Sequence, residues 1–372
     1  MNGEEKIDNR IGWLDETRCI AILSVIFCHS VECSFYIYRD HLEYWNTLDL
    51  FSKLFDSFGM AIGRLGVPLF FFITGALVLS KKLDSDEGLK SFYRKNFLSL
   101  FITMEIWIVI WNLFLIGFGN IGGDVQEVTL RTFLQNIFLL TQVDTIMPAW
   151  YVPVILFIYA MLPVLIISVK HIPFKVACIP LIFLVFFYSV IPLVNELLCS
   201  ISIQMIPVGM VFHDMIYFVY IILGYYIFKE SILSRFNKWI IIIGFIISLS
   251  MCVLMSFWLN ENDVSYKLGY NNTFLIISTA CLFELLRRTG NYCSSKNYGR
   301  GALFISEISL GLFFVHNPIQ YLIWFKFDNY LSSISLEMET IVIFIVSTSC
   351  SILTVYLISR IMVLRRILFR MK

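Results

Sequence analysis

Charged side chains are scarce in this sequence. Asp, Glu, Lys and Arg together make up 15% of the 372 residues, against about 25% in a typical soluble domain. Apolar residues reach 58%, and the mean hydropathy is +0.79. This composition excludes a water-soluble enzyme and a disordered chain. A net charge of +1 provides no basic field that would attract nucleic acid. The composition is typical of a polytopic membrane protein.

The nine cysteines lack the spacing of a metal site or a disulfide framework. We therefore predict no metal site, and we expect no cofactor. The first apolar run is too long for a cleavable signal peptide, and no small-residue cleavage site follows it. No internal repeat or low-complexity linker divides the chain. We expect one integral-membrane domain over residues 1–372, with short cytoplasmic tails at 1–13 and 362–372.

Long apolar runs recur throughout the chain. About 20 apolar residues are needed for a helix to cross a bilayer core of roughly 30 Å. Counting on this basis predicts an all-α bundle of about ten transmembrane helices, at residues 18–38, 58–79, 97–119, 149–169, 176–192, 209–228, 237–258, 269–287, 302–325 and 339–361.

The distribution of Lys and Arg predicts the topology. Of the 28 basic residues, 21 lie before the first span or after the even-numbered spans. Five lie in the loops that follow the odd-numbered spans. Because cytoplasmic loops are enriched in Lys and Arg, both termini are expected in the cytoplasm. A missed or invented span would break the alternation downstream of it.

The first span carries an unusual set of ionisable residues. Arg18 and His29 are 11 residues apart, so they share one helix face and lie roughly 16 Å apart along the axis. Asp15 and Glu32 fall on the same arc. Because ionisable groups inside a membrane are costly, they are treated first as functional candidates. The alternative is a histidine that only bonds a neighbouring helix, which stabilises by about 0.6 kcal/mol on average.

Further ionisable and aromatic residues are candidates for substrate binding. His316 in the ninth span is predicted at a depth similar to that of His29, beside Pro318, which can loosen the helix locally. Arg64 and Glu105 are either substrate-binding residues or a structural ion pair. Trp150 and Tyr151 either hold the acceptor or belong to an interfacial aromatic belt.

Four motifs, in order along the chain, resemble those of the membrane-bound acyltransferase family 3, which contains bacterial cell-surface polysaccharide O-acetyltransferases. The first is Leu14-Asp15 followed by Arg18 and, after ten residues, His29. The others are Gly66-Val67-Pro68 with Thr74-Gly75, Trp150-Tyr151 with Pro153, and Ile308-Ser309 with His316. Asn317 separates His316 from Pro318, where the family has His-Pro. The resemblance extends from residue 14 to about residue 318.

The resemblance implies transfer of an acyl group, expected to be acetyl from cytoplasmic acetyl-CoA, to a hydroxyl of a cell-surface or lipid-linked glycan at the inner membrane. Arg18 is then expected to contact the CoA phosphates, and His29 to act as general base. An acyl-His intermediate is an open alternative. Arg64, Glu105, Trp150, Tyr151 and His316 are the expected substrate-binding residues.

Three other classes of function compete with acyl transfer. An exporter of polysaccharide or lipid-linked sugar has the same broad resemblance, because a fold does not decide a function. A structural membrane subunit is disfavoured, since a scaffold gains little from costly buried charges. A proton-coupled carrier is disfavoured because no paired halves with matching broken helices are visible.

Overall fold

The computed structural model describes residues 11–36, 41–81, 83, 85–120, 128–137, 150–206, 215–292 and 299–371. Within these ranges the ordered elements are helices, and no strand occurs. The predicted all-α class is therefore confirmed. The α-helices, in chain order, are α1 (Gly12–Phe35), α2 (His41–Thr47), α3 (Leu50–Gly63), α4 (Gly66–Val78), α5 (Asp86–Phe92), α6 (Ser99–Asn120), α7 (Leu130–Ile137), α8 (Tyr151–His171), α9 (Phe174–Val185), α10 (Ile191–Ser200), α11 (Ile216–Lys229), α12 (Lys238–Glu261), α13 (Thr273–Tyr292), α14 (Arg300–Leu331), α15 (Leu336–Ser359) and α16 (Met362–Phe369).

Within the described residues, each of the ten predicted spans overlaps helix. Eight helical stretches in the described part of the chain are long and apolar enough to cross a membrane. The sixth predicted span corresponds to α11, which is apolar but has 14 residues, and residues 209–214 of that span lie outside the described residues. The eighth corresponds to α13, which carries Glu284, Arg287 and Arg288. The chain is thus a multi-pass membrane protein, while the side on which its termini lie stays a prediction.

Three of the spans are longer than the sequence suggests. A π-helical turn at Tyr93–Leu98 joins α5 to α6, and a second at Phe186–Val190 joins α9 to α10. The helix of the ninth span is continuous through Pro318 and extends to Leu331. Proline is tolerated inside membrane helices where neighbouring groups satisfy the freed carbonyl.

The chain forms two compact units. The first contains Met1–Val25, His41–Ser80 and Phe174–Ser309, and the second contains Ile26–Asp40, Lys81–Pro173 and Leu310–Lys372. Helices α1 and α14 each contribute residues to both units. The two units are described separately below, and the single-domain interpretation stays a prediction.

In the first unit, α4 and α11 cross at glycines. A Cβ atom on Gly75 would collide with the backbone carbonyl of Ile221, and one on Gly224 would collide with the backbone of Phe72. Small residues allow this close backbone approach, which is how membrane helices gain packing contacts without a hydrophobic driving force. The fully buried Phe72 ring also packs against Phe283, with ring centroids 5.1 Å apart.

In the second unit, the C-terminal helix α16 packs against α6. The Trp107 indole donates to the carbonyl of Leu368 at 2.9 Å, and the Thr103 hydroxyl donates to that of Ile367 at 2.8 Å. Trp107 also stacks on Phe314 of α14, with ring centroids 4.8 Å apart. The predicted tail at 362–372 therefore contains a docked helix. In the N-terminal tail, residues 1–10 lie outside the described residues.

Candidate active site

In the first unit, Arg18 is held by two partners. Its Nη1 donates to Asp15 Oδ1 at 3.2 Å and to Ser306 Oγ at 3.0 Å. The Ser306 hydroxyl donates in turn to Asp15 Oδ1 at 2.6 Å. Asp15 lies one helical turn before Arg18 on α1, whereas Ser306 comes from α14. Asp15 and Ser306 orient the guanidinium of Arg18, and the Arg18 side chain remains 27% exposed.

In the second unit, His29 forms a dyad with Glu32. The imidazole Nδ1 lies 2.6 Å from Glu32 Oε2, one turn further along α1. A carboxylate only accepts hydrogen bonds, so Nδ1 carries a proton, and Nε2 carries the lone pair whenever the ring is neutral. The side chains of His29 and Glu32 are 15% and 21% exposed. The arrangement is that of a base with its orienting carboxylate.

His316 lies beside this dyad. The ring centroids of His29 and His316 are 5.4 Å apart, and the rings are inclined at 34°. His316 is fully buried, and its Nδ1 lies 2.8 Å from the carbonyl of Leu312. Because a carbonyl only accepts, that nitrogen is the donor. Nε2 of His316 forms no hydrogen bond with any described residue. The structure thus brings together the two imidazoles that the sequence places at similar depths.

Gln320 connects α14 to α1 one turn beyond His316. Its Nε2 donates to the carbonyl of Ile26 and to Ser30 Oγ, both at 2.9 Å. Gln320 is fully buried, and its Oε1 has no hydrogen-bond partner in the described part of the chain. Sequence reasoning missed Gln320 and Ser306. The spacing of four residues between His316 and Gln320, which places both on one helix face, was the available signal.

The aromatic pair at the start of α8 extends toward the imidazoles. Trp150 contacts Tyr151, with ring centroids 5.9 Å apart. Tyr151 lies 5.0 Å from Phe313, and Phe313 lies 6.2 Å from His316. The structure therefore connects Trp150, Tyr151 and His316 within the second unit through Phe313. This arrangement fits an acceptor-binding wall, and the aromatic-belt interpretation remains compatible with it.

Arg64 and Glu105 lie in different units. In the first unit, Arg64 Nη1 donates to the Tyr270 hydroxyl at 3.1 Å, and its guanidinium lies 5.1 Å from the centre of that ring. In the second unit, Glu105 Oε1 on α6 is buried without a hydrogen bond to the described residues. Their ion pair and their binding roles stay predictions.

Basic residues meet near Asn96 in the second unit. Lys81 Nζ lies 3.3 Å from Asn96 Oδ1, and Arg370 donates to the carbonyls of Lys95 and Asn96 at 3.3 and 3.4 Å. Lys81 and Lys95 lie near the start of the third span, and Arg370 follows the end of α16. The cluster is a source of attraction for anionic groups.

Comparison with curated proteins and with solved structures gives no match. Residues 11–360 match the family described as an acyltransferase domain. That match includes most of the chain and all four of the motifs that carry the resemblance. The chain therefore belongs to acyltransferase family 3 and is a membrane acyltransferase with an acyl donor and an acyl acceptor.

Proposed function

We propose that this acyltransferase resides in the inner (cytoplasmic) membrane and transfers acetyl from cytoplasmic acetyl-CoA to a hydroxyl of a cell-surface or lipid-linked glycan. The observation that carries the proposal is the dyad of His29 and Glu32, with its 2.6 Å contact between Nδ1 and Oε2. An oriented imidazole is the usual general base of acyl transfer.

The reaction balances with His29 as the base. The acceptor hydroxyl oxygen attacks the thioester carbonyl while its proton passes to His29 Nε2. The C–S bond then breaks, and the departing CoA sulfur takes that proton from the imidazolium, which leaves an ester and free CoA thiol. Glu32 stabilises the imidazolium through Nδ1–H. An acyl-His intermediate would use the same lone pair as the nucleophile.

Arg18 is proposed to bind the donor. A guanidinium pairs well with phosphate oxygens. The hydrogen bonds that Arg18 donates to Asp15 and Ser306 fix the direction of its guanidinium. Trp150, Tyr151 and His316 are proposed to contact the acceptor, since aromatic faces suit sugar rings.

The test compares His29→Ala with His171→Ala, the same change at an exposed histidine at the end of α8. Transfer of labelled acetyl to surface glycan is measured at equal membrane abundance. We expect His29→Ala to lose at least about 100-fold in rate and His171→Ala to keep the wild-type rate. Normal transfer by His29→Ala would remove this residue from the chemistry.

The donor is tested with Arg18→Ala, which is expected to raise the acetyl-CoA concentration needed for half-maximal rate. An unchanged dependence would make Arg18 a structural residue. The same assay separates an exporter, which would change the location of the glycan and leave its acetylation unaltered.

A further inference from the structure

Three buried polar side-chain atoms lie within two turns of α14. His316 Nε2, Asn317 Oδ1 and Gln320 Oε1 have no hydrogen-bond partner among the described residues. All three side chains are at least nine-tenths buried, with exposures of 0%, 4% and 0%. Buried polar groups are nearly always hydrogen-bonded, so a group of three without partners calls for an explanation.

Chemistry fixes two of the three as acceptors. His316 Nδ1 must donate to the Leu312 carbonyl, which leaves the lone pair on Nε2. Gln320 must place its NH₂ group against the Ile26 carbonyl, which leaves the oxygen Oε1 as the unused atom. These two atoms lie one turn apart on the same face of α14. What they require is a hydrogen-bond donor.

The dyad adds a third acceptor at the same place. When its ring is neutral, His29 also carries its lone pair on Nε2, because Glu32 binds its Nδ1–H. Two nitrogens that both lack a proton cannot bond each other, although the rings are only 5.4 Å apart. Each nitrogen can therefore accept from a separate hydroxyl, and the 5.4 Å between the ring centroids is short enough for two hydroxyls of one molecule.

We infer that the acyl acceptor carries hydroxyls on adjacent carbon atoms, one donating to His29 Nε2 and reacting, the other donating to His316 Nε2. This inference rests on the proposed function and names its acceptor class as a vicinal diol. Gln320 Oε1 accepts from a further hydroxyl of the same acceptor molecule. The Phe313 ring, which lies beside His316, covers the apolar face of that acceptor. His316 is then a specificity-determining residue.

The experiment uses two small probes, cis-cyclohexane-1,2-diol and cyclohexanol, with the purified full chain in lipid nanodiscs. Binding is measured by the change in melting temperature with probe concentration, and acetyl transfer by ester formation from acetyl-CoA. We expect the wild type to bind the diol about 10-fold more tightly, since one more hydrogen bond is made to a buried acceptor. His316→Phe should bind both probes with the affinity that the wild type has for cyclohexanol. His171→Phe should keep the preference for the diol.

Equal binding of the two probes by the wild type would overturn the inference, and this comparison needs no variant to fold. A preference that survives in folded His316→Phe would overturn it as well. The proposed function fails separately. Preferential diol binding without an acetyl-CoA-dependent ester would support the diol site and contradict acyl transfer. Equal esterification of both probes would support acyl transfer and contradict the diol site.

Discussion

The indole of Trp111 supplies a hydrogen bond that Pro318 cannot make. Pro318 has no N–H, so the carbonyl of Phe314, four residues earlier in α14, lacks its usual helical donor. Trp111 Nε1 of α6 donates to that carbonyl at 3.2 Å. Both groups belong to the second unit. The bond explains why the helix continues through the proline beside His316.

Trp111→Phe is expected to lower the free energy of unfolding by about 1–3 kcal/mol, because the buried Phe314 carbonyl is left without a donor. Reversible unfolding in mixed detergent micelles measures this. Trp239→Phe, at a tryptophan that is 68% exposed, should change stability by less than about 0.5 kcal/mol. Pro318→Ala restores a backbone donor, so the same Trp111→Phe change should be less destabilising in that background. Equal losses in both backgrounds would contradict the role given to the indole.

Glu32→Gln is expected to reduce kcat by about 10- to 100-fold, a part of the 10²- to 10⁴-fold that a general base supplies. The amide carries no charge to stabilise the imidazolium, which is why kcat falls. The KM for acetyl-CoA should stay unchanged, because Glu32 is not proposed to contact the donor. Glu32→Asp should recover part of the rate. Steady-state kinetics of acetyl transfer test this, with Glu43→Gln at an exposed position of α2 as the control. A rise in KM at constant kcat would place Glu32 in substrate binding instead.

Ser306→Ala is expected to raise the KM for acetyl-CoA by about 3- to 10-fold, the equivalent of one hydrogen bond. Without the hydroxyl, Arg18 keeps Asp15 and loses the partner from α14. The matched control is Ser309→Ala, one turn further along, where the hydroxyl only bonds the Ser306 carbonyl. If both variants behave alike, Ser306 does not act through Arg18.

Gly75→Ala is expected to destabilise the protein by about 3 kcal/mol or more, because the new methyl group meets a backbone carbonyl that cannot move aside. Gly117→Ala is the control: its methyl group meets no atom within 4 Å. This change should stabilise helix α6 slightly, since Ala favours helix over Gly by up to about 1 kcal/mol. Unfolding midpoints of the two variants should therefore move in opposite directions, and a stable Gly75→Ala protein would contradict the crossing of α4 and α11.

The positions of the membrane helices could be predicted from the sequence because they depend on local composition. Apolar runs long enough for a bilayer identify them, and helical rise alone places His29 and His316 at similar depths. The docked helix α16 was predicted as a tail, because its eight residues are too few and too charged to span a membrane.

The partners of the site residues could not be predicted in the same way. Ser306 and Gln320 contact α1 through the rotation and packing of α14, which a single sequence does not specify. Glu32 lay on the predicted polar arc, yet spacing alone did not distinguish a partner of His29 from a residue at the membrane boundary. Trp111 was missed because its contribution depends on a carbonyl of another helix.

Since His29 and Glu32 are one turn apart on α1, their bond requires no other helix. The pair needs only that turn of α1 to be helical. Any displacement of α14 that admits or releases substrates would leave the base with its carboxylate. The orientation of the proposed base therefore does not depend on the position of α14.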